Sequence, residues 1–243
     1  MPDDSSVKLH QWFIEEREYR CQEERRGRRH AFAHLVSSKT ALVILDMVPF
    51  FLAQSAYIRG IVPNLNRLAE ALRAAGGTVA WVLPRTNPQP SRRALEFFGA
   101  ESAEAYSQSG GTGPLSSRFS PCLQPQEQDP IVEKTYACAF FSGSSELPSV
   151  LEQRGIDTVL ITGTVTNVCC ESSARDACTL GYRVILVADT NAARRDQDHN
   201  ATLYNIYRTF GDVRPTDEVL EMIRAFQRQG EPSGSERNHN TTV

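Results

Sequence analysis

The chain has 243 residues, of which 40% are hydrophobic and 23% charged, with a formal net charge of -3. This length suits one large α/β domain around a single sheet. The weak charge supplies no global field to recruit nucleic acid or an anionic membrane, and no apolar run reaches the length of a membrane span.

The N-terminus, Met1-Pro2-Asp3-Asp4-Ser5-Ser6, is acidic and polar where a signal peptide is basic and then apolar, so the expected location is the cytoplasm. Residues 7–35 form a charged stretch with Trp12, Phe13, Tyr19, Phe32 and Leu35 scattered through it. This reads as helical pieces of an arm, residues 1–37, packed on the domain or on a neighbouring subunit, and a homo-oligomer is the expected assembly. The basic run Arg25–His30 follows Glu15, Glu16, Glu18, Glu23 and Glu24, which cancel much of its field, so it reads as a solvated face. The six cysteines, at 21, 122, 138, 169, 170 and 178, lack paired zinc spacing and are expected reduced.

From residue 38 the pattern alternates strand and helix to residue 228. Ala41–Asp46 is a short apolar strand; Pro63 opens a helix with Leu65, Leu68, Ala69 and Leu72 on one face, ended by Gly76-Gly77. Further strands are expected at Thr78–Leu83, Pro130–Lys134, Thr158–Thr162 and Arg183–Ala188, with helices near 145–154, 168–180, 196–210 and 216–228. Continuous apolar strands in strand-helix-strand units predict a three-layer Rossmann-like α/β domain, its mainly parallel six-stranded sheet covered by helices on both faces. The stretch between Pro84 and Pro130, broken by Pro, Gly and Ser clusters, is expected to line a site or an interface. The tail after Gln229 is expected to be disordered.

In open α/β sheets, ligands sit beyond the carboxyl ends of the strands. Asp46 and Lys134 end two strands, and Cys169 follows a third, in the first turn of a helix. Singly, Asp46 reads equally as a turn cap, Lys134 as a solvated charge and Cys169 as a small core residue. Together a carboxylate, an ammonium group and a thiol form a working set for nucleophilic catalysis. The helix N-terminus predicts a Cys169 substantially ionised near neutral pH. Cys170 beside it reads as packing, and His199, in the polar stretch Asp196–Asn200, as a capping or surface residue.

Three separated motifs carry a resemblance. Val43-Ile44-Leu45-Asp46-Met47, Val132-Glu133-Lys134-Thr135 and Gly163-Thr164-Val165-Thr166-Asn167-Val168-Cys169-Cys170-Glu171-Ser172-Ser173-Ala174-Arg175-Asp176-Ala177 together resemble the isochorismatase-like cysteine hydrolases. The resemblance covers roughly residues 38–225. It implies Asp46, Lys134 and Cys169 as a catalytic triad. It also implies a cis peptide between Thr164 and Val165, with the Val165 and Cys169 N–H groups forming the oxyanion hole.

Departures from the family pattern narrow the chemistry. Nicotinamidases of the superfamily build a metal site on an Asp-x-His stretch where this chain reads Pro84-Arg85-Thr86-Asn87-Pro88-Gln89-Pro90, so no metal and no other cofactor is expected. Members that hydrolyse the vinyl ether of isochorismate can lack the cysteine. Its retention favours attack on the carbonyl of a small amide, ureide or lactam through a thioester. Phe50, Phe51, Arg85, Tyr136, Phe140 and Phe141 flank the expected crevice as candidate substrate contacts. The alternatives are vinyl ether hydrolysis with Asp46 as acid, a non-catalytic module of the same fold, and a redox role for Cys169 with Cys170. The only partner expected besides a second copy is a small-molecule substrate, with neither nucleic acid nor membrane.

Overall fold

A computed structural model describes residues 7–230. The six strands are β1 (Thr40–Leu45), β2 (Thr78–Pro84), β3 (Ile131–Lys134), β4 (Thr158–Thr164), β5 (Arg183–Ala192) and β6 (Asp212–Arg214). All pair in parallel, in the order β3-β2-β1-β4-β5-β6. The chain thus builds outward on one side of β1, then returns to β1's other edge with β4. That reversal leaves a crevice at the carboxyl ends of β1 and β4.

Parallel strands need crossovers, and helices supply them. After the N-terminal helix α1 (Glu16–Arg26) come α2 (Pro49–Gln54), α3 (Ala56–Gly60) and α4 (Val62–Ala74) between β1 and β2. The helices α5 (Arg92–Phe98) and α6 (Ala100–Ser107) lie between β2 and β3; α7 (Leu147–Gln153) precedes β4, and α8 (Glu171–Thr179) follows it. The chain closes with α9 (Asp196–Asn205) and α10 (Thr216–Gly230). None of the described helices is long and apolar enough to cross a membrane.

Every residue of β1 is buried, because its side chains alternate into two cores. Ala41, Val43 and Leu45 join Leu147 and Leu151 of α7, Ala174 and Ala177 of α8, and Leu203 of α9. Leu42 and Ile44 join Leu65, Leu68 and Leu72 of α4 with Val219 and Ile223 of α10. Each fully buried leucine here contributes about 1.5–3 kcal/mol of transfer free energy, which holds the strand ends in fixed relation.

One expectation needs correction. The expected helices at 168–180 and 196–210 each contain a five-residue π-helical turn, Thr166–Cys170 before α8 and Ile206–Phe210 after α9. The sixth strand has three residues, too few for an apolar pattern. Cys170, Ala174 and Ala177 pack against the sheet, and Gly181, exposed at φ 94, closes the turn after α8. The arm's Ile14 and Tyr19 belong to this chain's own core. Of the tail expected after Gln229, residues 231–243 lie outside the described residues.

Candidate active site

The site begins where β1 ends. Asp46 adopts φ 56, a left-handed conformation that aspartate tolerates better than most residues. Its N–H donates to the Val82 carbonyl at 2.9 Å, so the backbone leaves the sheet with the carboxylate buried among the strand ends. One strand over, Gly163 pairs with Leu45. It sits at φ 111, and a Cβ there would lie 2.1 Å from the Leu45 oxygen. Only glycine lets β4 pass so close to the end of β1.

Asp46, Lys134 and Cys169 meet. Lys134 Nζ lies 2.9 Å from Asp46 Oδ2 and 3.5 Å from Cys169 Sγ, and it also donates to the Tyr136 carbonyl at 3.2 Å. The carboxylate and ammonium are almost wholly buried, at 1% and 5% exposure. A pair so sequestered keeps its charges only through mutual attraction. Burial opposes the charge on Lys134, but Asp46 and Cys169 outweigh it and hold its pKa above the ordinary ammonium value. Asp46 Oδ1 is buried and accepts no hydrogen bond from the described residues.

Cys169 departs from expectation. Burial, followed by the Asp46 carboxylate, pushes its thiol up to about 12, with Lys134 pulling the other way. Desolvation beside a carboxylate thus opposes the thiolate that a helix N-terminus favours. Cys170, fully buried against the sheet, is pushed up as well, first by burial. All six cysteines are free.

The peptide between Thr164 and Val165 is cis. Thr164 is buried, donating to the Ala192 carbonyl at 3.3 Å, while Val165 lines the cavity with Asn167, Val168 and Cys169. The Cys170 N–H reaches back to the Val165 carbonyl at 3.3 Å, the long-range bond of a π turn, which wraps the cysteine's backbone around this position.

The cavity above Cys169 measures about 830 Å³. Of the six candidate contacts, Phe51 and Tyr136 line it. Phe50 packs edge-on behind Phe51, with ring centroids 5.0 Å apart. Phe140 is buried in the core that also holds Leu147 and Ala174, edge-on to Tyr182 with ring centroids 5.6 Å apart. Phe141 is exposed and edge-on to Tyr136, and Arg85 turns toward Glu133, 3.7 Å away. Sequence reasoning missed Phe98 and Tyr106, which the stretch between β2 and β3 brings to the cavity, and Arg194 and Asp198, which follow β5. The placement of that stretch at a site was legible; which aromatics face inward was not.

Charge in the cavity is not balanced. Asp46 pairs with Lys134, and Arg195 grips Asp198 through two bonds of 2.7 and 2.9 Å. Arg194 donates to the Tyr106 hydroxyl at 3.2 Å and forms no ion pair with a described carboxylate.

His199 is wholly buried, not a surface cap. Its Nδ1 lies 3.0 Å from Thr166 Oγ1, and burial lowers its pKa to about 3.

The model of the isochorismatase domain family matches residues 40–218. An uncharacterized isochorismatase family protein of Bacillus subtilis, YwoC, is 34% identical over 76% of this chain and 95% of its own. Maleamate amidohydrolase of Pseudomonas putida is 30% identical over 76% of this chain and 87% of its own. Among solved structures, a cysteine hydrolase from Pseudomonas syringae pv. phaseolicola superposes with a TM-score of 0.71 at 27% identity, covering 81% of this chain and 98% of that one.

Proposed function

The chain belongs to the isochorismatase family of hydrolases, and from that premise we propose that it cleaves a small-molecule C–N bond through a thioester on Cys169. The observation that carries this reading is the contact of Lys134 with both Asp46, at 2.9 Å, and Cys169, at 3.5 Å, on the floor of one cavity. Its similarity to maleamate amidohydrolase supports the bond class.

As substrate binds, Asp46 takes the thiol proton and the sulfur attacks the carbonyl carbon. The raised thiol pKa makes this transfer part of the reaction and not a resting condition. Negative charge on the carbonyl oxygen is met by the Val165 and Cys169 N–H groups. Asp46 returns the proton to the departing amine, and water, deprotonated by the same carboxylate, hydrolyses the thioester. Lys134 remains charged throughout, offsetting the anionic partners in a dry site. Arg194 suits a substrate bearing a carboxylate, with Phe51, Phe98 and Tyr136 enclosing its carbon skeleton.

A panel of carboxylate-bearing amides and ureides tests this reading with wild type and Cys169→Ala. Wild type should turn over at least one member, and the variant should lose at least about 1000-fold. Full turnover by Cys169→Ala would remove the thioester. Activity of that variant confined to vinyl ethers would assign Asp46 as a simple acid.

A further inference from the structure

The matched family domain begins at residue 40, yet a residue of the preceding arm is built in behind the cavity's lining. His10 is buried, its ring stacked between Tyr57, with centroids 4.0 Å apart and 4° between planes, and His199, at 4.2 Å and 7°. Its Nε2 accepts the Ala193 N–H at 3.0 Å. That leaves Nδ1 to carry the proton and donate to Asp196 Oδ1, 2.6 Å away. Burial, the largest influence on the ring, favours this neutral form.

Each of these contacts leads to a different cavity wall. Tyr57 belongs to α3, whose neighbours Ser55 and Ile58 line the cavity; Ala193 lines it directly, beside Arg194. His199 meets Thr166 Oγ1 at 3.0 Å, at the start of the turn Thr166–Cys170 that carries Cys169. The Lys8 N–H, donating to the Ala56 carbonyl at 3.0 Å, anchors the arm beside the stack.

We propose that His10 is a positioning residue, a plug from the N-terminal arm that locks three walls of the cavity and sets the turn carrying Cys169. The inference rests on the reading of Cys169 as nucleophile. A neutral imidazole is suited to the place because it offers one acceptor, one donor and two flat faces. Alanine offers none of these, phenylalanine keeps only the faces, and glutamine keeps the acceptor and donor.

The test compares His10→Ala, His10→Phe and His10→Gln in the full chain. Melting temperature, kcat and KM on the best amide of the panel, and the rate of Cys169 alkylation by iodoacetamide are followed together. A loosened turn should lower kcat of the alanine and phenylalanine variants about 10- to 100-fold, since small misplacements of a nucleophile are costly. The same loosening should raise alkylation several-fold, and the glutamine variant should regain most of kcat. If the alanine variant does not fold, the phenylalanine and glutamine pair decides. Wild-type kcat and alkylation rate in folded His10→Phe would overturn the proposal, leaving the arm as a cover. Alkylation needs no turnover, so a wild type inactive on every amide would count against the hydrolase reading and leave the positioning role readable.

Discussion

Two neighbouring clusters of buried ionisable groups handle charge in opposite ways. In the crevice at the end of β1, Asp46 lies 2.9 Å from Lys134 and outweighs the burial that would strip the ammonium of its proton. In the stack behind it, His10 and His199 have only partial compensation, and both lose charge through burial. In the proposed mechanism the first arrangement stores a base and a cation for chemistry, and in the proposed role of His10 the second supplies flat, neutral surfaces whose hydrogen bonds set geometry. Desolvation acts on both, and the burial of the counterion separates them: Asp46 beside Lys134 is 1% exposed, whereas Asp196, 2.6 Å from His10, is 38% exposed and screened by water.

Acid should separate the two clusters. His199 takes a proton near 6.5 in the unfolded chain but only near 3 when folded. Its contribution to stability is therefore complete above about pH 6.5 and is lost as pH falls toward 3, at up to about 1.4 kcal/mol per pH unit. The lowered pKa of His10 adds in the same direction. Asp196 and Asp198, whose pKa values are lowered from 3.8, weaken the fold only once pH falls through the carboxylate range. Denaturant unfolding between about pH 6.5 and pH 4.5 should show falling stability in wild type and a flatter dependence in His199→Gln. An equal slope in the variant would mean that His199 does not stay neutral in the fold.

A smaller effect sharpens the contrast at the cavity mouth, where Arg194 forms no ion pair among the described residues. Arg194→Ala should raise KM for carboxylate-bearing substrates about 10-fold, equivalent to about 1.4 kcal/mol, with little change for neutral amides. Equal KM values on both classes would remove Arg194 from substrate recognition.

What the sequence could disclose followed the same division. Asp46, Lys134 and Cys169 were legible because each sits at a strand end or turn that local pattern marks, and the five longer strands were legible from continuous apolar runs. The three-residue β6 and the two π turns leave no periodic trace. The inward choice of Phe98 and Tyr106 over Phe140 and Phe141 depends on chain direction, which composition does not encode. His10 was invisible for a different reason: the partner of its Nε2, Ala193, lies 183 residues away, and an isolated histidine in a charged arm carries no signal of what it will stack on. The upward push on the thiol's pKa was not legible, because helix position is written in sequence and burial beside a carboxylate is not.

The central claim is that Asp46 both suppresses the resting thiolate and is required to generate it during turnover. Asp46→Asn separates these roles. Iodoacetamide alkylation of Cys169 measured against pH should place the wild-type thiol near 12 and the variant's lower, while turnover by the variant falls at least about 1000-fold. A wild-type thiol already ionised at neutral pH, or an Asp46→Asn enzyme that keeps its turnover, would contradict the account.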